Sequence, residues 1–179
     1  MIQTTVNRKC ATTVLIFLIS TITCWGQLDK NISLAASGNF NFGLNEFQTL
    51  DDAGFGISFE ALFAAKKRVG ITAETGGDWF GGDKELDFEN GKNKKPAIYH
   101  VRGGPHFFVT KRIRLAATYG FAHYIIREID FSSAGSYKLS VTALLGAKKK
   151  LLARFYHAGV TRDPKTLSYF GVSLGYKIL

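Results

Sequence analysis

The feature that most constrains this chain is a two-residue alternation of apolar with small or polar side chains, restarted eight times after Asn31. Successive side chains of a strand point to opposite faces, so a period of two means strands with two unlike faces; a helix would repeat at 3.6. The runs span residues 32–43, 54–65, 69–76, 99–110, 113–122, 139–146, 151–160 and 169–178. The second is the clearest: Phe55, Ile57, Phe59, Ala61 and Phe63 share one face, against Gly54, Gly56, Ser58, Glu60 and Leu62. Fifteen Phe and seven Tyr suit strands better than helices. Beyond the N-terminal segment, no apolar run approaches the ~20 residues of a membrane helix.

Connections between the runs differ in length. Those near 66–68, 111–112 and 148–150 are short and basic, whereas those at 45–53, 77–96, 127–137 and 161–168 are longer. Short and long alternate along the chain. Antiparallel strands that cross a layer with tight turns on one side behave this way, and eight strands of roughly ten residues match tilted membrane strands. The expected architecture is all-β, an eight-stranded antiparallel up-and-down transmembrane β-barrel with short periplasmic turns and longer extracellular loops.

The composition of the second face says which way it points. Besides Gly, Ser, Thr and Ala it carries Glu60, Glu74, Arg102, Arg114 and Arg154. An eight-stranded barrel has an interior just wide enough for side chains, so small residues with a few long charged ones can fill it. Buried charges need partners, and two carboxylates facing three guanidiniums supply them. The five residues are therefore expected to form a charge network inside the barrel, and a side-chain-filled lumen excludes a large diffusion pore. Phe42, Phe55, Tyr99 and Phe121 fall toward the long connections, and Phe63, Phe107 and Tyr176 toward the short ones, as two interfacial girdles would. Pro105 sits within the fourth run and cannot donate a ladder hydrogen bond, so a bulge, a bend or a shortened strand is expected there.

The N-terminus reads as an address. Arg8 and Lys9 precede the apolar stretch 11–22, and Thr23-Cys24-Trp25-Gly26 offers a cleavage site before Gln27. Residues 1–26 are thus a signal peptide and 27–179 the barrel domain. Cleavage would remove Arg8, Lys9 and both cysteines, lowering the net charge of +9 by two. An exported chain without cysteine must be held by something other than disulfides, such as a closed hydrogen-bond network.

With these features the chain resembles small outer-membrane barrels of the OmpA/OmpX-like kind. Its tail, Phe170-Gly-Val-Ser-Leu-Gly-Tyr-Lys-Ile178-Leu179, is similar to the closing strand of many barrels from Bacteroidetes-type bacteria. The resemblance implies an outer-membrane location and a C-terminal signal, formed by Tyr176, Ile178 and Leu179, that the outer-membrane assembly machinery reads. The family pattern prefers a terminal aromatic residue, where this chain has Leu179. A monomer in outer-membrane lipid and lipopolysaccharide is expected, with Lys92, Lys94 and Lys95 of the longest connection as lipopolysaccharide contacts.

Other chemistry finds little support. Gly171-Val-Ser173-Leu-Gly175 matches a nucleophile pattern, but no Asp, Glu or His follows it and no helix follows the strand. His123, with Asp130, Ser132 and Ser133, or His157, could serve a lipid-A-modifying enzyme of the membrane. No cofactor or metal is implied, and export argues against nucleic acid as a partner. A secreted lipocalin-like barrel is the alternative fold reading; it would turn the apolar face inward around a hydrophobic ligand. An integral barrel with a structural or interaction role, without enzymatic activity, is the expected function.

Overall fold

The computed structural model describes residues 32–44, 53–64, 68–81, 97–126, 129–162 and 165–179. The expected signal peptide lies outside the described residues. Eight strands follow in order: β1 (Ile32–Leu44), β2 (Ala53–Ala64), β3 (Val69–Phe80), β4 (Ala97–Phe108), β5 (Ile113–Ile126), β6 (Ile129–Leu145), β7 (Leu151–Arg162) and β8 (Lys165–Lys177). Each pairs antiparallel with its neighbours in sequence, and β8 pairs with β1 to close the barrel. Closure leaves no edge strand with unpaired backbone groups.

The register fixes the geometry. A line drawn across the ladders from Ala36 passes through Phe59, Thr75, Val101, Phe121, Gly135 and Thr161 to Thr166. Across the β1–β8 seam, however, Ala36 pairs with Tyr176. One circuit therefore slips by ten residues, and strands staggered in this way must tilt, typically by ~35–45°, to close.

Side-chain orientation follows the alternation. Phe55, Ile57 and Phe59 on β2, Val101 on β4, Leu139 on β6 and Val172 on β8 all point outward and are exposed, while Ser58, Glu60, Arg102, Lys138 and Ser173 point inward and are buried. Pro105 lies inside an unbroken β4 and faces outward. It neither bulges nor ends the strand. Instead the β4–β5 ladder skips from Gly103–Tyr119 to His106–Ala116 with its register unchanged, while Pro105 still pairs with Ile71 of β3. The missing N–H costs a local gap on one side only. The register shift in the β5–β6 ladder lies elsewhere, between Ala122 and Tyr124.

Two of the longer connections turn out to be mostly strand. β6 begins at Ile129, β7 runs to Arg162 and β8 starts at Lys165, so much of 127–137 and 161–168 is paired hairpin. Likewise β3 continues through Gly77–Phe80. On β7 the two faces exchange character near this end: the inward residues become Ala158 and Val160 and an outward one Thr161, the reverse of the pattern lower down. A strand whose apolar face switches sides looks like a loop to a periodicity reading.

On the opposite rim the turns are tight. Gly146 (φ 77°) and Lys149 (φ 51°) take the left-handed conformation, and Lys149 N–H donates to the Gly146 carbonyl at 3.2 Å. Beyond β8, Leu34 N–H donates to the Leu179 carbonyl at 3.2 Å and Ile178 N–H to the Leu34 carbonyl at 2.7 Å. Ile178 and Leu179 thus extend the closing seam.

Candidate functional site in the barrel lumen

The lower and middle lumen is a charge network centred on Glu74. Arg102 Nη2 donates to its Oε1 at 2.8 Å, Lys138 Nζ lies 2.9 Å from both oxygens, and Arg154 Nη1 reaches Oε2 at 3.3 Å. His100 Nε2 stands 3.3 Å from Oε1. Arg154 also pairs with Glu60, whose other oxygen takes Arg114. Thr142 sits between the two arginines and accepts from Arg114 Nη2 at 3.3 Å and Arg154 Nε at 3.2 Å. Glu60, Glu74, Arg102, Arg114 and Arg154 are all at most 4% exposed.

Two charged members of the lumen lie outside the set read from the sequence. Lys138 is the third cation on Glu74 and rests 4.2 Å above the Tyr156 ring. Asp78 centres a second cluster nearer the long-connection end: Asn41 Nδ2 donates to it at 2.8 Å, Asn39 Nδ2 at 3.4 Å and the Tyr169 hydroxyl at 2.9 Å. His100 Nδ1 lies 3.6 Å from Asp78, so this ring joins the two clusters. Tyr156 OH closes the cluster by donating to Asn41. Asp78 had been hidden in the polar stretch 77–96. Lys138 was legible, because it keeps the two-residue phase of Ser140 and Thr142.

Above these groups the lumen changes character. Phe80, Ile98, Ala122, Ala134, Ala158 and Val160 form a buried apolar cap with the rings of Tyr156 and Tyr169, and Leu167 packs against it. Phe80 meets Tyr169 edge-on at 5.5 Å. Glycines on neighbouring strands make room for the rings: a Cβ on Gly54 would stand 2.6 Å from Phe80, and one on Gly171 would overlap Tyr156. The two tyrosines face both regions, with rings in the cap and hydroxyls on the polar cluster.

The remaining sequence candidates are dispersed. His157 is half-buried on the outer wall of β7, between the rings of Tyr137 (5.5 Å) and Phe170 (5.0 Å). His123 is half-buried on β5, and the side chains of Asp130, Ser132 and Ser133 lie outside the described residues. Ser173 lies inside β8, opposite Asn39 and Arg154, with no turn beside it. Lys92, Lys94 and Lys95 lie outside the described residues. Tyr176 is exposed on the outer wall. The described residues hold no His, Cys, Asp and Glu grouping fit for a metal ion.

No protein-family model matches the chain, and no curated relative matches it. Solved structures match its fold. The outer membrane protein Ail of Yersinia pestis, in a phospholipid bilayer nanodisc, superimposes with a TM-score of 0.57 at 13% identity, over 82% of this chain and 99% of that one. Neisserial surface protein A gives 0.60 at 9% identity, over 83% and 96%. A de novo designed transmembrane β-barrel gives 0.50 at 10% identity, over 82% and 95%. The likeness is one of fold, and a designed chain shares it.

Proposed function

We propose that this chain is an integral outer-membrane β-barrel with a structural or interaction role, serving membrane integrity, adhesion or binding through its long connections. One observation carries the reading: the barrel is inside out. Its wall exposes Phe, Ile, Leu and Val all round, while Glu60, Glu74, Asp78, Arg102, Arg114, Lys138 and Arg154 are buried within. In water such a wall would be an aggregating surface; in lipid it is the required one. A lipocalin-like calyx needs the opposite arrangement.

The filled lumen supports a role at the surface over one in transport. The names of two structures of similar fold, an attachment invasion locus protein and a surface protein, point the same way. Residues 1–26 would export the chain, and the assembly machinery would read Tyr176, Ile178 and Leu179. Lys92, Lys94 and Lys95 would meet lipopolysaccharide. A closed barrel needs no partner to satisfy its backbone, which favours a monomer.

The test compares gel mobility of boiled and unboiled protein in detergent, then solute flux through vesicles that carry it. A mobility shift, detergent-dependent extraction and sealed vesicles are expected. Protein free in the aqueous fraction with no shift would overturn the reading. Loss of a lipid-modifying activity on His123→Ala or His157→Ala would replace it with the enzyme.

A further inference from the structure

Outside the lumen the acidic residues are confined to the long connections, whereas cations occur in long and short connections alike. All three short turns are basic, with Lys66, Lys67 and Arg68, Lys111 and Arg112, and Lys148, Lys149 and Lys150, and no acid occurs in them. From Ile32 onward every Asp and Glu outside the lumen falls in sequence within the four longer connections: Glu46, Asp51 and Asp52, Asp83 to Glu89, Glu128, Asp130 and Asp163. The basic rim is also built in a repeating way. Arg68, Arg112 and Lys150 each stand just before an outward apolar residue, Val69, Ile113 and Leu151 respectively. The carbonyl of each accepts a 2.7 Å hydrogen bond from the next strand, from the N–H of Phe108, Leu144 and Lys177. The backbone of each of the three is therefore fixed to the ladder, one residue from an exposed apolar side chain of the outer wall.

We infer that this rim is a seat for anionic phospholipid headgroups in the leaflet the short turns reach. The inference rests on the membrane reading above. A soluble polyanion would need only the charge; the placement of each cation against an exposed apolar side chain suits a molecule with an anionic head and an apolar tail. Lys150 carries this furthest, its Nζ lying 5.7 Å over the ring of the outward Tyr176, on the wall itself. Among the described residues no acidic side chain pairs with these cations, so their charge is available to phosphate. One cation near a lipid surface is worth roughly a fivefold preference for an anionic head.

The experiment uses the full barrel in phosphatidylcholine bilayers and compares spin-labelled phosphatidylglycerol with spin-labelled phosphatidylcholine at its wall. The protein should prefer phosphatidylglycerol, by about two- to fivefold averaged over the lipid shell. Arg68→Gln/Arg112→Gln/Lys150→Gln should lower the ratio, the five remaining turn lysines keeping part of it. The control Arg68→Lys/Arg112→Lys/Lys150→Arg keeps the charge at the same three positions and should leave the preference unchanged. No preference in the parent protein, or equal loss in both variants, would overturn the inference. So would binding of soluble cell-wall fragments to the rim with no discrimination between lipids. Protein that never enters the bilayer and shows no heat-dependent mobility removes the membrane reading as well; inserted protein without lipid preference removes this inference alone.

Discussion

The charged lumen and the apolar cap fill the same narrow cylinder by opposite means. Around Glu74 the interior is ionic and the wall outside is apolar, with Arg154 buried beside exposed Phe155. A few residues along the same strand the interior is Ala158 and Val160 and the outside is Thr161. Strand β8 makes the same switch, from buried Ser173 beside exposed Leu174 to Leu167 packed on the cap beside exposed Thr166. Each half matches its surroundings: a chain in lipid must satisfy its polar groups inside, and a chain in water must hide its apolar ones. On the membrane reading, the change of phase marks where the strands leave the bilayer, and the cap is the core of hairpins that project into water.

The largest effect should come from Glu74→Ala. It strands Lys138 and Arg102 and one arm of Arg154, all buried, and breaking such a network costs about 3–5 kcal/mol. Urea titration of the barrel in bilayers, read by the heat-dependent mobility shift, should show a midpoint lowered accordingly. A variant as stable as the parent would mean the cations relax to water, and that the lumen is wetter than its packing indicates. Phe80→Ala attacks the other half. It opens a cavity over Gly54 and beside Tyr169, for a cost of about 3 kcal/mol. The cap would loosen while the charge network kept its pairs, so proteolysis of the hairpins should rise more than the urea midpoint falls.

The same contrast explains what could be read from the sequence. Eight strands, their faces and the inward charges Glu60, Glu74, Arg102, Arg114 and Arg154 follow from one repeating pattern, because the belt imposes the same apolar-out rule on every strand. The cap does not, because there the inward side is apolar as well: Ala122 and Ile98 are buried beside exposed Phe121 and Tyr99, and only β7 and β8 turn a polar Thr161 and Thr166 outward. Phe80 and Ile98 sit at strand ends, and Ala122, Ala134 and Ala158 are too small to announce a core. Asp78 goes with them, because it lies in the polar stretch 77–96, where the alternation gives no strand. Partner choice was beyond reach in any case. That Arg154 bridges Glu60 and Glu74, and that Lys138 shares Glu74, depends on a ten-residue stagger that only the closed ladder reveals.

The boundary itself yields the smallest effects and the sharpest test. Leu174 and Thr166 lie on the outer wall of the same strand, both exposed, one in the apolar stretch and one beyond the change of phase. If the switch marks the edge of the bilayer, Leu174→Lys puts an ammonium into hydrocarbon and costs about 2–3 kcal/mol. Thr166→Lys puts the same group into water and should fall within about 0.5 kcal/mol of the parent. The urea midpoint in bilayers reads both. Equal costs at the two sites would mean that the wall is uniform along its height, and that the apolar cap answers to packing of the hairpins rather than to a change of solvent. Transferring both variants to detergent sharpens the comparison, because a micelle lets the lysine at 174 reach water. The difference between the two sites should then shrink, whereas a purely steric penalty at 174 would persist.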